Sequence, residues 1–317
     1  MPSIDFLTIA KGIHKKVVKL MGNRFEISVV NEKEEVAAAI IQKAIAEIQR
    51  IEKLLTTFDE NSQANLINRH AGIKPVRVDK EVFDLILRSK RISEITQGAF
   101  DITYGSIDKS LWNFDKNMTS LPDSITARKL VRLINYRNII LNEAKCTVFL
   151  KEEGMRIGFG GIGKGYAAEK AKMVLQEEGV TSGIVNAAGD LVAWGYQPDG
   201  KPWTIGIADP NSARNQFSSL EITDMSVATS GNYEKFVMIN GKKYSHTIDP
   251  KTGLPITGIK SVTIICSNAE VADAMATPVM IMGIKVGLDM INQMRGIGCI
   301  IVDDNDKIYT SKNINLK

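Results

Sequence analysis

The sequence predicts an α+β fold with mixed or antiparallel sheets and packed helices. Three observations carry that expectation. Residues Arg24 to Val30 alternate apolar and polar, and the spacing switches at once to a helical period over Glu34 to Leu55. The pair Asn240-Gly241 stands between the apolar run Phe236 to Ile239 and Lys243-Tyr244, which is hairpin chemistry. Strands and helices alternate along the rest of the chain without a sustained strand–helix–strand repeat, so a doubly wound parallel sheet fits less well.

In chain order, Phe25, Ile27 and Val29 line one side of the first strand, and Val36, Ile40, Ile41, Ala44, Ile45, Ile48, Ile51 and Leu55 make the helix stripe. A polar loop is expected over Asp59 to Asn68, then amphipathic helices near Lys80 to Thr96 and, after Leu121-Pro122, near Asp123 to Ile134. Short strands follow at Ile139 to Leu141, Cys146 to Leu150 and Arg156 to Phe159. The glycine-dense stretch Gly158 to Gly165 leads into a helix from Tyr166 to Glu178, closed by Gly179, and a strand from Gly183 to Asn186. Short strands fill Trp203 to Ile265, and helices near Ala269 to Met282 and Lys285 to Met294 precede a last strand, Cys299 to Val302. The chain has no repeat and no low-complexity linker. It therefore reads as one domain over residues 21–317 behind an N-terminal basic segment, 1–20, whose Lys11, Lys15, Lys16 and Lys19 are expected to be solvated.

Composition narrows the chemistry. The 317 residues carry 40 Lys+Arg against 36 Asp+Glu, a formal charge of +4, too weak and too dispersed for a nucleic-acid protein. At 44% hydrophobic residues the chain can build a sizeable core. Cys146, Cys266 and Cys299 are far apart with no paired spacing, which excludes a zinc knuckle and a disulfide framework. No run reaches the ~18 apolar residues of a membrane span, and no signal-peptide pattern opens the chain. As written it is expected to be soluble and cytoplasmic, or periplasmic or membrane-anchored if a leader precedes it.

Gly158-Phe-Gly160-Gly-Ile-Gly163-Lys164-Gly165 matches two nucleotide motifs and satisfies neither. As G-x-G-x-x-G it lacks the acidic residue at the end of the next strand, since Glu177 and Glu178 precede that strand. As a P-loop it has Gly165 where the Mg2+-binding hydroxyl belongs. Two readings stay open: a tight turn that packs through small residues, or backbone amides and Lys164 arranged before a helix to hold phosphate.

Downstream, Glu270, Asp273 and Thr277 stand at i, i+3 and i+7, one helix face. Oxygen donors without His or Cys suit Mg2+ or Ca2+ rather than zinc, although a solvated face also reads this way. Pro278 cannot donate to the Ala274 carbonyl, which predicts a bend there. His246 precedes the turn Asp249-Pro-Lys-Thr-Gly253 and can serve as a proton acceptor or as a surface cap. His14 and His70 lie in polar surroundings with less chemistry around them.

Taken together, and in order, the chain resembles the ApbE family, the Mg2+-dependent FAD:protein FMN transferases. The resemblance rests on Met21-Gly22, Gly98-Ala-Phe-Asp101-Ile-Thr103, Gly160-Gly-Ile-Gly-Lys164-Gly-Tyr166-Ala, Asn186-Ala-Ala-Gly189-Asp190, Thr229-Ser-Gly231-Asn-Tyr233, His246-Thr-Ile-Asp249-Pro-Lys-Thr-Gly253 and Ala272-Asp273-Ala-Met-Ala-Thr277, and runs from about Lys19 to Val302.

The resemblance implies an ApbE-like, T-fold-like architecture. It also implies an enzyme that cleaves FAD, releases AMP and leaves FMN on a Ser or Thr of an acceptor flavoprotein, such as a subunit of a membrane redox complex. Carried over residue by residue, Mg2+ falls to the Gly161 carbonyl, Asp273 and Thr277, with Glu270 a further candidate. FAD falls to Met21, Phe58, Ala99, Phe100, Asp101, the Gly158 position, Lys164 and Ile248, and His246 is the candidate base. Gly158 departs from the aspartate common there, and Asp190 or Glu270 could compensate. An FAD pyrophosphatase and a non-catalytic flavin carrier are the alternatives to weigh.

Overall fold

The computed structural model describes residues 12–108, 118, 120–209, 212–231 and 236–314. A hairpin opens the fold, β1 (Gly12–Leu20) with β2 (Asn23–Asn31), followed by α1 (Glu34–Leu55), α2 (Gln63–Arg69), β3 (Val76–Arg77), α3 (Lys80–Ile95) and α4 (Ser124–Leu130). Next come β4 (Ile139–Asn142), β5 (Thr147–Leu150), α5 (Gly163–Glu177), β6 (Gly183–Ala187), β7 (Asp190–Trp194), β8 (Trp203–Asp209), β9 (Ser212–Ile222) and β10 (Met225–Gly231). The chain ends through β11 (Phe236–Ile239), β12 (Lys242–Ser245), β13 (Ile259–Cys266), α6 (Ala269–Met282), α7 (Ile284–Ile291), β14 (Ile297–Asp303) and β15 (Ile308–Thr310).

The main sheet has eight strands in the order β1-β2-β6-β7-β10-β13-β14-β15, and each neighbouring pair is antiparallel. Side chains alternate across it. Phe25, Ile27, Val185 and Val192 face the layer of α1 and α5, and Val262, Ile264 and Cys266 face α6 and α7. One residue out of step, Val30, Leu191, Ala193, Val227 and Ile265 pack on Trp203, Ile205 and Ile222 of the β8–β9 hairpin. No helix among the described residues is long and apolar enough to cross a membrane.

Most expected elements form, and the differences have local causes. Helix α1 spans the predicted residues because every apolar position of its stripe is buried except Val36. The stretch expected as polar loop contains α2. Ser62 caps it by accepting from Asn65 N at 3.0 Å, and the buried side chains of Asn65 and Asn68 stand where an apolar stripe would. Asn68 also explains why Arg156 to Phe159 is not a strand. Its amide accepts from Ile157 N at 2.7 Å and donates to Ile157 O at 3.0 Å, so a side chain does the work of a strand neighbour. Helix α4 ends at Leu130, short of Ile134, where the Leu130 carbonyl accepts from Asp108 N at 3.0 Å.

Of the basic residues expected to be solvated, Lys15, Lys16 and Lys19 are exposed, and they stand on an edge strand. Lys15 pairs with Glu26 at 2.7 Å on one face and Lys16 reaches Gln42 of α1 at 3.0 Å on the other, so β1 carries charge on both faces, which suits a sheet edge. Lys11 lies outside the described residues. Cys266 and Cys299 are buried core residues, and burial pushes the Cys299 thiol up to about 12, far from nucleophilic use.

Candidate active site

The site forms where the N-terminus of α5 meets the side of α6. Gly158 N donates to Ile102 O at 2.8 Å and Gly163 N to Phe159 O at 2.6 Å, which closes the glycine turn into the helix. A Cβ on Gly158 or Gly160 would meet nothing within 4 Å, so packing does not demand glycine at either position. Phe100 and Met21 border this turn: a Cβ on Gly161 would lie 3.6 Å from the Phe100 ring, and one on Gly163 would lie 3.5 Å from the Met21 methyl.

Gly165 is different, because a Cβ there would lie 2.1 Å from the Ala269 carbonyl oxygen and 2.7 Å from Asp273 Cβ. That close approach lets Gly165 N, third in the helix and without an intrahelical partner, donate to Asp273 Oδ2 at 2.9 Å. The packing reading of the glycine run therefore holds at Gly165, while at Gly158 and Gly160 packing does not call for glycine.

Asp273 is buried, 6% exposed, on α6. Burial raises its pKa; Lys164, whose Nζ lies 3.7 Å from Oδ1, and the Gly165 N–H work in the opposite direction. Lys164 also contacts Asp190, the first residue of β7, itself 4% exposed. One turn beyond Asp273, Thr277 Oγ1 lies 2.9 Å from the hydroxyl of Ser230 on β10. Helix α6 runs through Pro278, whose missing N–H leaves the Ala274 carbonyl without its usual helical donor.

Glu270 does not join this group as an open oxygen ligand. Arg88 of α3 binds both of its oxygens, at 2.7 and 2.9 Å. Burial works against the guanidinium, and the Glu270 bonds outweigh it, so the Arg88 pKa is raised. The Arg88 guanidinium lies over the Tyr166 ring at 5.7 Å, and the Tyr166 hydroxyl bonds Glu81 at 2.5 Å. Arg88, Ser230 and the direct Asp190–Lys164 contact were not expected from the sequence. Arg88 is 182 positions from its partner, and no local pattern signals it.

Asp101 is buried and turned inward. Its Oδ1 accepts from Thr103 N at 2.8 Å and Thr103 Oγ1 at 2.6 Å, and its Oδ2 from Tyr136 N at 2.7 Å. Burial raises its pKa against those bonds. It therefore shapes the loop that presents Ala99 and Phe100, both nearly buried. Ile248 is buried and donates its N–H to the Tyr104 hydroxyl at 3.3 Å.

The turn after Ile248 is closed by Asp249, which accepts from Lys251 N at 2.8 Å and Thr252 Oγ1 at 3.2 Å. Gly253, at φ +72°, seats the turn on α4, where a Cβ would lie 2.0 Å from the Ala127 carbonyl oxygen. His246 is exposed just after β12. Phe58 stands in the loop after α1 with its ring 98% exposed, not drawn into the cluster. His14 and His70 bond backbone carbonyls, at 3.1 and 2.8 Å. Asn232 and Tyr233 lie outside the described residues.

Among the described residues, no cluster of three His, Cys, Asp or Glu could hold a metal alone. The oxygen donors on this face of α6 are one buried carboxylate, Asp273, and one hydroxyl, Thr277 one turn on, beside the α5 start that follows the glycine turn. That set fits Mg2+, which takes few protein oxygens and completes its shell with phosphate and water, and does not fit zinc. A cleft of about 640 Å3 opens alongside, lined by Ala99, Asp249 and the methionines Met282, Met290 and Met294. It adjoins two of the candidate flavin-site segments but not Asp273 or Thr277.

The ApbE family model matches residues 21–301. A FAD:protein FMN transferase of Klebsiella pneumoniae (strain 342) is 32% identical over 300 residues, covering 94% of this chain and 92% of that protein. One of Treponema pallidum (strain Nichols) is 28% identical over 291 residues, covering 87% of this chain and 80% of its own. Among solved structures, the ApbE protein of Thermotoga maritima superposes with a TM-score of 0.84 at 29% identity, covering 95% of this chain and 97% of that one. The apo flavinyl transferase ApbE of Pseudomonas stutzeri gives 0.83 at 25% identity, with 95% of each chain covered.

Proposed function

The chain belongs to the ApbE family, and from that membership we propose that it is an FAD:protein FMN transferase that is Mg2+-dependent, moves FMN onto a Ser or Thr hydroxyl of an acceptor flavoprotein and releases AMP. The observation that carries the reading is the convergence of Asp273, Lys164 and the α5 amide of Gly165, with Thr277 one turn away.

Asp273, Thr277 and the Gly161 carbonyl would hold Mg2+, which supplies charge neutralisation on the pyrophosphate when bound. The chain's own part is electrostatic and positional. Lys164, in the first turn of α5 at the positive end of the helix dipole, would meet the phosphoryl oxygens with positive charge fixed in place before the reaction. Phe100 and Met21 give the glycine turn an apolar border.

His246 is exposed, which suits a base that must meet a hydroxyl carried by another protein. The acceptor oxygen attacks the FMN phosphorus, the bond from that phosphorus to the bridging oxygen breaks, AMP leaves, and His246 takes the hydroxyl proton. A subunit of a flavin-dependent membrane redox complex is the class of acceptor this chemistry serves.

Incubating the protein with FAD and Mg2+, with and without a peptide bearing a candidate acceptor Thr, tests the reading. AMP together with a fluorescent peptide is the expected result. AMP without labelled peptide would make the protein an FAD pyrophosphatase, and neither product would make it a flavin carrier. Asp273→Ala should abolish AMP release.

A further inference from the structure

Lys164 lies between two buried carboxylates, in contact with Asp190 and 3.7 Å from Asp273 Oδ1. The two are not equivalent. Asp273 Oδ2 is already held by the Gly165 amide at 2.9 Å, whereas Asp190 takes the ammonium directly. Asp190 is delivered by a strained turn: Ala188 sits at φ 56°, a conformation that disfavours a residue with a Cβ, and Gly189 at φ 101°. Asn186 Oδ1 accepts from Gly189 N at 2.8 Å, and Ala187 pairs with Asp190 across the β6–β7 hairpin, so the turn is fixed from both sides. With Gly158, the glycine turn brings no carboxylate of its own.

Resting on the reading of Asp273 as a cation ligand, we propose that Asp190 is a positioning residue that holds the Lys164 ammonium off Asp273 and so keeps Asp273 available to a divalent cation. Two carboxylates and one ammonium sum to one negative charge. A divalent cation turns that into one positive charge facing a pyrophosphate, with the lysine beside the cation instead of in its place. Without Asp190, the nearest anion for a partly buried lysine is Asp273 itself. The ammonium then competes with the cation for the same oxygen.

The test is cation binding by the full-length protein, read with Mn2+ as the probe from the electron paramagnetic resonance signal of the free ion, with no FAD or acceptor present. Asp190→Asn is expected to weaken Mn2+ binding about 10- to 100-fold, the range for residues that act through a ligand's neighbour. Adding Lys164→Met to that variant removes the competitor and should restore the affinity. Lys164→Met alone and Lys164→Met/Asp190→Asn should bind Mn2+ equally, a comparison that leaves no lysine unpaired if the single Asp190 variant fails to fold.

Unchanged binding in Asp190→Asn overturns the proposal. So does a double variant as weak as Asp190→Asn, because Asp190 would then be a ligand in its own right. Mn2+ binding that survives Asp273→Asn overturns the cation-ligand reading and this inference with it. Loss in Asp273→Asn beside no change in Asp190→Asn overturns this inference alone.

Discussion

Gly165 and Asp273 meet backbone to side chain across α5 and α6, N–H to Oδ2 at 2.9 Å, over a gap too narrow for a Cβ. The packing of the two helices and the placement of the carboxylate are therefore one feature. Gly165→Ala would set a methyl 2.1 Å from the Ala269 carbonyl oxygen, which is backbone and cannot swing aside. The helices must separate, at a loss of about 3 kcal/mol in unfolding free energy and with Asp273 drawn off the amide. Urea unfolding and AMP release should both fall. A variant of wild-type stability and rate would refute the coupling.

Arg88 and Glu270 tie α3 to the first turn of α6, and the Glu270 side chain is only 10% exposed. Arg88→Met should cost about 2 to 3 kcal/mol, less than a fully buried pair because Arg88 is 40% exposed, by leaving that carboxylate without its partner. Adding Glu270→Leu should recover most of the loss. A double-mutant cycle in urea measures the coupling, and strict additivity would show that the pair does not hold the helix.

How much of this could be read in the sequence depended on whether the partners were local. Helix α1 was legible because its buried stripe is unbroken, and the hairpin because Asn240 and Gly241 take φ 50° and 75°, the conformations those residues favour. Helix α2 was not, because Asn65 and Asn68 occupy its buried face and a polar residue carries no apolar period. The same Asn68 replaces strand pairing for Ile157, 89 positions away. Lys164, Asp273 and Thr277 stood out as a motif. Arg88 did not, and with it went the knowledge that Glu270 is engaged.

Ser230 and Thr277 share a hydrogen bond of 2.9 Å between β10 and α6. A hydroxyl that has a fixed partner, whether it donates or accepts, presents its available lone pairs in fixed directions. Ser230→Ala should raise the Mg2+ concentration needed for half-maximal AMP release about tenfold. It should change unfolding free energy by only about 1 kcal/mol. The same Mg2+ response in variant and wild type would count against an orienting role.

Glu81 binds Arg50 through both oxygens and accepts from the Tyr166 hydroxyl, and the Arg50 bonds, then Tyr166, hold its pKa below the usual glutamate value of 4.5 against burial. A carboxylate whose pKa is lower folded than unfolded stabilises the fold above its unfolded pKa, and that contribution disappears as the pH falls through the folded one. Glu81→Gln should therefore lower the melting temperature at pH 7, and its gap to wild type should narrow as the pH falls below 4.5. Because the pair is partly exposed, the effect at neutral pH is about 1 kcal/mol. A gap between the two melting curves that persists undiminished at pH 3 would place the stabilisation elsewhere.

Phe58 is the candidate flavin contact that the fold does not use. With its ring 98% exposed it buries no area against the protein, so Phe58→Ala should leave unfolding free energy within about 0.5 kcal/mol of wild type. An aromatic kept in water gains only when a flat ligand covers it, and stacking of a base on an aromatic ring is worth about 1 to 3 kcal/mol. Phe58→Ala should accordingly weaken FAD binding about tenfold, while Phe58→Tyr, which keeps the π face, should not. Flavin fluorescence titration in the absence of an acceptor separates this from any effect on transfer. Equal FAD affinity in all three proteins would remove Phe58 from the site, and a stability loss in Phe58→Ala well beyond 0.5 kcal/mol would mean that the ring packs on the fold after all.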